Sequence, residues 1–201
     1  MCYTVSDMEK IVIATSNEGK LKEIKEMLGG RFAVVSMKEA GFHGEVEETG
    51  ATFYENALIK AKAVSDALGV PALADDSGLE VIALGFAPGV FSARYAGEPC
   101  DNARNRALLI KNMRGMTDRS ARFACCMVFY KPGGEIISAE GFTEGRVLEA
   151  EDGENGFGYD SLFFSNDLGK SFGRATDEEK NSVSHRGRAL KKLTEKLECR
   201  G

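Results

Sequence analysis

The sequence predicts a single domain of the α/β class built around a mixed β-sheet. Segments with strand and helix periodicity alternate through the early part of the chain, and a long β-hairpin follows them. No repeat, low-complexity tract or linker interrupts the 201 residues. We therefore expect one domain over residues 8–201, preceded by a flexible extension at residues 1–7.

The first elements are predicted to be a strand, a helix, a second strand and a long helix. The first strand is a short β-branched run, Lys10–Thr15, and the second is expected at Phe32–Ser36. Between them, apolar residues recur at helical spacing up to Leu28. The long helix is predicted over residues 52–68, because an apolar stripe ends there just before a glycine and a proline.

The middle of the chain is expected to hold two short strands, a loop and a helix, in the order Ala72–Ala74, Leu79–Leu84, Gly85–Gly97 and 101–113. In this assignment the first of these strands ends directly before Asp75. The helix begins at Asp101, which is a suitable N-cap residue.

The long hairpin joins Ala121–Tyr130 to Glu135–Val147 through a Lys-Pro-Gly-Gly turn. A glycine-rich segment follows at Asn155–Asp160. Ser184 is then placed to cap a final helix that ends near Glu198.

The charge balance excludes some classes of partner. The chain has 26 Lys and Arg residues against 31 Asp and Glu residues, a formal net charge of −5. Proteins that coat nucleic acids or adhere to anionic membranes need an excess of basic residues. We therefore expect neither partner, although a few well-placed cations could still hold a small anionic ligand.

The cysteines and the apolar segments indicate a compartment. Five cysteines without a C-x-x-C pair, together with only two histidines, argue against a Cys/His zinc site and favour a reducing environment. No apolar stretch approaches membrane-spanning length, and the N-terminal residues lack the features of a signal peptide. We therefore expect a cytoplasmic protein.

The first polar cluster, Thr15–Lys20, lies in a predicted strand-to-helix turn. Asn17 is suited to cap the helix, which is a purely structural role. The hydroxyl groups, the backbone N–H groups and Lys20 would equally suit an anion. A Walker A loop is excluded by Ala14 and Leu21, so both interpretations stay open outside that class.

The second cluster consists of acidic residues. Asp75 and Asp76 follow a predicted buried strand. Two adjacent ionised carboxylates repel each other, and a nearby cation would offset this repulsion. Mg²⁺ takes one or two carboxylates together with phosphate and water oxygens, so metal binding is favoured for at least one of the two aspartates. Taken alone, Glu47 and Glu48 are typical of a solvated loop.

The third cluster opens the long helix. Thr52 and Glu55 have the spacing of a capping box, and this structural role is preferred for Glu55. Asn56 and Lys60 lie one turn apart on the same helix face. A solvated polar face explains them, and a position facing a cleft is the alternative.

The fourth cluster combines the glycine-rich segment with the start of the last helix. The glycines beside Phe157 allow a flat ligand to approach the ring closely, although no strand–helix unit surrounds them as a dinucleotide site would require. Arg186 lies in the first turn of a helix, where the helix dipole disfavours a cation. A bound ligand would compensate; the alternative is a basic face shared with Lys191 and Lys192.

In this order, the motifs resemble the inosine triphosphate pyrophosphatase family from about Lys10 to Leu197. The matching segments are Thr15–Lys20, Glu48–Gly50, Glu55–Ala57, Ala74–Leu79, Pro88-Gly89, Ser92–Tyr95, Phe157–Asp160 and Ser184–Arg186. The resemblance implies Mg²⁺-dependent hydrolysis of ITP, dITP and XTP to a nucleoside monophosphate and pyrophosphate. It also implies a homodimer, and a long curved mixed sheet with the active site in a cleft between two lobes.

The resemblance also implies roles for individual residues. The catalytic residues would be Asp76, as proton acceptor, with Lys20 and Asp75, and the Mg²⁺ ligands would be Glu48 and Asp76. The residues that bind the triphosphate would be Thr15, Ser16, Asn17, Glu18, Gly19 and Lys20, with Ser77 touching the substrate. Phe157 would stack on the purine, and the edge of the purine would be contacted by Asp160, Lys180, His185 and Arg186. Gly158 and Tyr159 would be further substrate-binding residues. Ser16 and Asn155 depart from the family's usual glycines, which affects fine specificity and removes no functional group.

Hydrogen-bond polarity would set the choice of base. ITP and XTP present an acceptor at the six-position of the purine, whereas ATP presents an amino donor, and a site built of donors can discriminate by about 10⁴-fold. GTP shares the six-keto group, so its rejection needs a further feature. The alternatives are a pyrophosphatase for other modified nucleotides and a nucleotide-binding module without catalysis.

Overall fold

The computed structural model describes residues 10–28 and 32–199. The strands are β1 (Lys10–Ile13), β2 (Ala33–Ser36), β3 (Ala72–Val81), β4 (Ser120–Tyr130), β5 (Ile136–Val147), β6 (Phe163–Ser165) and β7 (Lys170–Ser171). The α-helices are α1 (Glu18–Leu28), α2 (Phe53–Leu68), α3 (Asn102–Asn112), α4 (Asp177–Val183) and α5 (His185–Glu198). The extension expected at residues 1–7 lies outside the described residues.

The strands form one seven-stranded sheet in the order β2-β1-β3-β4-β5-β6-β7. Strand β1 runs parallel to both β2 and β3, with Val12 opposite Val35 on one side and Ala72 on the other. At the other edge, β6 pairs antiparallel with both β5 and β7. The prediction of an α/β fold with a mixed sheet is therefore confirmed.

The helix starts agree with the capping residues in the sequence. Thr52 and Glu55 form the complete capping box of α2: the Thr52 hydroxyl accepts from the backbone of Glu55, whose carboxylate accepts from the backbone of Thr52. Asp101 caps α3, and the Ser184 hydroxyl accepts from the backbone of Gly187 at the start of α5. The structural roles predicted for these residues are confirmed.

The predicted division of β3 into two strands is wrong. Asp75 and Asp76 do not follow the end of a strand; they lie in the middle of one continuous strand, Ala72–Val81, and both are buried. Residues Ile82–Leu84, which were predicted as strand, form a 3₁₀ turn. The strand continues through two acidic residues because cationic and amide side chains from neighbouring helices compensate their charge.

Helix α4 is absent from the sequence-based prediction. It begins with a second capping box, formed by Thr176 and Glu179. The helix has seven residues, and most of them are polar, so it carries no apolar stripe to reveal it. The capping signal was nevertheless present in the sequence.

The chain divides into two compact units. The first comprises the described residues up to Asp76, with Cys126–Ala139 and the residues from Ala189; the second comprises Ser77–Cys125 and Glu140–Arg188. The core of the first includes Val12, Ala61, Val64 and Val128, and that of the second includes Leu109, Phe123, Leu162, Phe163 and Phe172. Among the described residues, no helix has the length and apolar character needed to cross a membrane.

Candidate active site

In the first unit, the turn between β1 and α1 presents the predicted anion-binding residues. The side chain of Asn17 accepts a 3.1 Å hydrogen bond from the backbone of Lys20, so its capping role is confirmed. The hydroxyl of Thr15 accepts a 3.2 Å bond from the backbone of Asn17. The N–H groups of Glu18 and Gly19 belong to the first helical turn, where no intrahelical acceptor exists. Ser16, Asn17 and Glu18 are exposed, so an anion in solution can reach this turn.

Lys20 extends from α1 to the acidic pair on β3. Its Nζ lies 3.2 Å from Oδ2 of Asp75, a carboxylate without solvent exposure. A buried carboxylate needs such a partner, because desolvation of an isolated charge is costly. The ion pair therefore holds Asp75 in place and fixes the Lys20 ammonium beside the exposed turn.

Lys60 of α2 joins the two carboxylates that the resemblance assigns to the metal. Its Nζ lies 3.0 Å from Oε1 of Glu48 and 3.6 Å from Oδ1 of Asp76. Burial alone would lower the pKa of Lys60, but the negative charges of Asp76, Asp75 and Glu48 raise the pKa overall. Lys60 therefore remains charged as an internal counter-ion of the acidic cluster.

Asn56, one turn before Lys60, holds the other oxygen of Asp76. Its Nδ2 donates a 3.1 Å hydrogen bond to Oδ2 of Asp76. Burial raises the pKa of Asp76 above its ordinary value, and this effect outweighs the opposing influence of Lys60, Lys20 and Asn56. Asp76 is thus a buried carboxylate that is harder to ionise than one in water.

The preferred interpretation of Asn56 and Lys60 as a solvated polar face is wrong. Both side chains are buried. They lie directly beside the apolar stripe of α2, next to the buried Ala57 and Ala61. This position was the signal in the sequence that could have placed both residues in the site.

Glu48 and Asp76 are the carboxylates that the resemblance assigns to a metal ion. Within residues 10–28 and 32–199, no group of three or more His, Cys, Asp or Glu side chains is arranged to hold a metal. Glu48 and Asp76 nevertheless direct carboxylate oxygens at one ammonium, so their arrangement suits a positive charge. Two carboxylates with further oxygens from water and phosphate are a usual Mg²⁺ ligand set, so these residues fit the ion.

In the second unit, the glycine-rich segment is organised by a buried ion pair. Oδ2 of Asp160 accepts hydrogen bonds from the backbone of Phe157 at 2.7 Å and from Nζ of Lys180 at 2.6 Å. Both side chains of the pair are 4% exposed. Nζ of Lys180 also lies 4.7 Å from the centre of the Phe157 ring, a cation–π distance.

Arg186 contacts the same ring. Its guanidinium carbon lies 5.9 Å from the centre of the Phe157 ring, and Nη2 donates a 2.9 Å hydrogen bond to Oγ of Ser77. The alternative of a basic surface face with Lys191 and Lys192 is wrong for Arg186, because its side chain is 1% exposed. Arg186 therefore contacts both Phe157 and Ser77, and Phe157 also lies beside Lys180.

The remaining predicted residues of the second unit have partners in its core. The imidazole of His185 stacks on the ring of Phe123, with centres 4.7 Å apart. The hydroxyl of Tyr159 donates a 2.9 Å hydrogen bond to the carbonyl of Ser92, and burial raises the pKa of Tyr159. Gly158 lies between Phe157 and Tyr159 with a positive φ of 62°, which favours glycine.

Known proteins match this chain in sequence and in fold. The model of the Ham1 family matches residues 11–196. A Bacillus subtilis (strain 168) protein named dITP/XTP pyrophosphatase is 47% identical over 195 residues, covering 96% of this chain and 98% of that protein. A protein of the same name from Desulforamulus reducens is 49% identical over 191 residues, covering 94% and 95%. The solved Ham1 protein of Staphylococcus aureus matches with a TM-score of 0.86 at 39% identity, covering 96% of this chain and 100% of that one.

The resemblance inferred from the motifs is confirmed by these matches. The matched residues contain both clusters, from Thr15 to Arg186. Because the family match and the aligned relatives extend over nearly the whole sequence, this chain belongs to the Ham1 family.

Proposed function

We propose that this protein is a pyrophosphatase for deaminated purine nucleoside triphosphates. It splits ITP, dITP or XTP between the α and β phosphates and releases a nucleoside monophosphate and pyrophosphate. The buried cluster of carboxylates and lysines in the first unit carries the proposal, because it combines a base, cations for phosphate and oxygen ligands for a metal. The names of the full-length relatives support the same activity.

Mg²⁺ is the proposed cofactor, held by Glu48 and Asp76. When bound, it supplies positive charge that stabilises the negative charge developing on the phosphate oxygens. Glu48 is partly exposed, so water and phosphate oxygens have access to its carboxylate. Asp75 assists by holding Lys20 beside the cluster.

Asp76 is the proposed proton acceptor. A carboxylate with a raised pKa binds a proton more firmly than an ordinary one and is a better general base near neutral pH. Asn56 bonds to Oδ2 of Asp76, whereas Oδ1 of Asp76 faces the ammonium of Lys60. Asp76 therefore takes the proton from the attacking water while Asn56 fixes its orientation.

The turn that precedes α1 is the proposed site for the triphosphate. Lys20 and the first-turn N–H groups of Glu18 and Gly19 supply positive charge and donors. The hydroxyl groups of Thr15 and Ser16 and the side chain of Asn17 line the same turn. These residues stabilise the increase of charge on the phosphates during the reaction.

The second unit provides the proposed purine site. The base stacks on Phe157, whose ring already lies beside the cationic groups of Lys180 and Arg186. Both cations are pure hydrogen-bond donors, which match a six-keto oxygen and reject the six-amino group of ATP. Asp160 holds Lys180 in place, while Ser77, Gly158, Tyr159 and His185 complete the surroundings.

We also propose a cytoplasmic homodimer, as the resemblance implies. Light scattering of the purified protein measures the oligomeric state: a mass twice that of the 21.7 kDa chain supports a dimer. A mass equal to one chain contradicts it.

A substrate panel tests the activity. The full-length protein with Mg²⁺ is expected to release pyrophosphate from ITP, dITP and XTP much faster than from ATP or GTP, and a chelator is expected to abolish turnover. Release of orthophosphate, or equal rates on all five substrates, contradicts the proposal. Preference for modified pyrimidines would indicate another nucleotide pyrophosphatase, and binding without turnover would indicate a non-catalytic module.

A further inference from the structure

Arg106 of α3 bonds to the segment that presents Phe157. Its Nη1 donates a 3.0 Å hydrogen bond to the carbonyl oxygen of Gly158. Its Nε lies 2.9 Å from Oε2 of Glu151. The guanidinium therefore connects helix α3 to the backbone of Gly158, the residue that follows Phe157.

The second partner of Arg106 is itself held in position. Besides its ion pair with Arg106, Oε2 of Glu151 accepts a 2.9 Å hydrogen bond from Oγ of Ser161. Burial alone would raise the pKa of Glu151, but the guanidinium of Arg106 and the hydrogen bond from Ser161 lower this pKa overall. Glu151 is therefore ionised at neutral pH and fixes the guanidinium against the Gly158 carbonyl.

The Arg106 bond matters because its acceptor, the carbonyl of Gly158, belongs to a residue with a flexible backbone. The residue has a φ of 62°, which glycine adopts readily, but glycine also adopts other backbone conformations with little cost. A cavity of about 260 Å³ lies beside this segment and is lined in part by Arg106, Glu151, Phe157 and Gly158. The Asp160 side chain holds the backbone N–H of Phe157, and the Arg106 bond adds a second restraint at the Gly158 carbonyl, on the side where the cavity leaves space.

We propose that Arg106 is a positioning residue for the purine site: it holds the Gly158 carbonyl so that the Phe157 ring stays beside Lys180 and Arg186. The inference rests on the proposed function of Phe157 in base stacking. Its effect is on binding, because a ring that is already in place loses less conformational freedom when the base stacks on it. The described partners of Arg106 are Gly158 and Glu151, neither of which is assigned a part in bond cleavage, so we expect the chemical step to be unchanged.

Steady-state kinetics with ITP test this role. Arg106→Met is expected to raise KM on the order of tenfold, the scale of one charge-assisted hydrogen bond, with kcat within about twofold of the parent. Arg106→Lys, which keeps the charge and one donor, is expected to restore part of the loss. The matched control is Lys111→Met, an exposed residue on the same helix, which is expected to leave both constants unchanged.

A double-variant comparison separates positioning from general stability. If Arg106 acts through the ring, Arg106→Met adds little to the KM of Phe157→Ala, because the ring that it positions is already gone. Additive effects of the two substitutions contradict the proposal. So does an Arg106→Met variant that behaves like Lys111→Met.

A fluorescence measurement tests the same role without catalysis. The chain contains no tryptophan, so Phe157→Trp introduces a single reporter at the ring position. Adding Arg106→Met is expected to lower the fluorescence anisotropy of Trp and increase its quenching by acrylamide, whereas Lys111→Met does neither. If the Trp fluorescence is unaffected by Arg106→Met, the proposed positioning role of Arg106 is wrong, even when ITP is hydrolysed. If the fluorescence responds but ITP yields no pyrophosphate, only the proposed function is wrong.

Discussion

The side-chain amide of Asn56 donates a 3.1 Å hydrogen bond to the carboxylate of Asp76. The Oδ1 atom of Asn56 accepts a 2.8 Å hydrogen bond from the backbone of Gly50. The amide therefore connects the segment before α2 to the middle of β3. Only glycine fits at position 50, because a Cβ there would lie 2.7 Å from Oδ1 of Asn56 and 2.6 Å from Cβ of Glu55.

Asn56→Asp tests whether the hydrogen bond from Asn56 controls the protonation state of Asp76. The new carboxylate can no longer donate to Asp76, and its negative charge raises the pKa of Asp76 further. We expect kcat for ITP to fall by at least about tenfold and the acidic limb of its pH profile to move to higher pH. The control is Asn102→Asp, an exposed position at the start of α3. An unchanged pH profile would show that Asn56 does not act on the base.

Asp76→Asn is expected to remove activity and to change the pH dependence of stability. The loss of the base and metal ligand lowers kcat by at least about 10²-fold. Because burial raises the pKa of Asp76 in the folded protein, its ionised form costs stability that the neutral amide does not. Because the amide also removes negative charge beside buried Lys60, the quantity to measure is the difference in thermal-unfolding midpoint between variant and parent as a function of pH.

The pH dependence of this difference follows from the direction of the shift. A raised folded-state pKa gives Asp76 a favourable contribution below its unfolded pKa, near 3.8, that is lost as the pH rises through the folded value. The midpoint of Asp76→Asn minus that of the parent should therefore increase as the pH rises from about 4 and then level off. A difference that decreases over this range would mean that ionised Asp76 stabilises the fold.

The Asp160–Lys180 pair provides a prediction about stability. Lys180→Met leaves a buried carboxylate without its ammonium, and breaking such a pair typically costs about 3–5 kcal/mol. The double variant with Asp160→Asn removes both charges and keeps an acceptor for the backbone of Phe157. In urea unfolding, the double variant should lose less stability than the sum of the two single variants. Simple additivity would show that the two charges are not coupled.

Glu55→Ala tests the structural assignment of the capping box. The substitution removes the acceptor for the backbone of Ala51 and Thr52, and it should lower the free energy of unfolding by about 1 kcal/mol. Turnover of ITP at a temperature well below unfolding should stay unchanged. Glu47→Ala, an exposed residue in the preceding segment, is the control. A loss of kcat in Glu55→Ala beyond that of the control would place Glu55 in the reaction.

The elements that the sequence predicted correctly depend on local signals. The capping box of α2 and the glycine that ends this helix act within a few residues, so they can be read without knowing the fold. The hairpin turn between β4 and β5 is equally local, with the backbone of Lys131 donating to Glu135. In each case, one short segment contains both partners of the interaction.

The predictions from sequence are wrong where residues far apart in the chain neutralise each other's charges. The acidic pair suggested the end of a strand, but Lys20 and Lys60 arrive from two helices and allow β3 to continue. The same compensation buries Lys60, which sequence reasoning favoured as a surface residue. Such pairing depends on tertiary structure, so the spacing of residues along the chain could show which groups were present but not which would meet.

The most direct test of the account is the position at which water attacks. When ITP is hydrolysed by the full-length protein with Mg²⁺ in water enriched in ¹⁸O, mass spectrometry shows which product contains the label. Attack at the α phosphorus, as proposed for the water that Asp76 deprotonates, predicts ¹⁸O in inosine monophosphate and none in pyrophosphate. Label in pyrophosphate, or in orthophosphate released with inosine diphosphate, would contradict it.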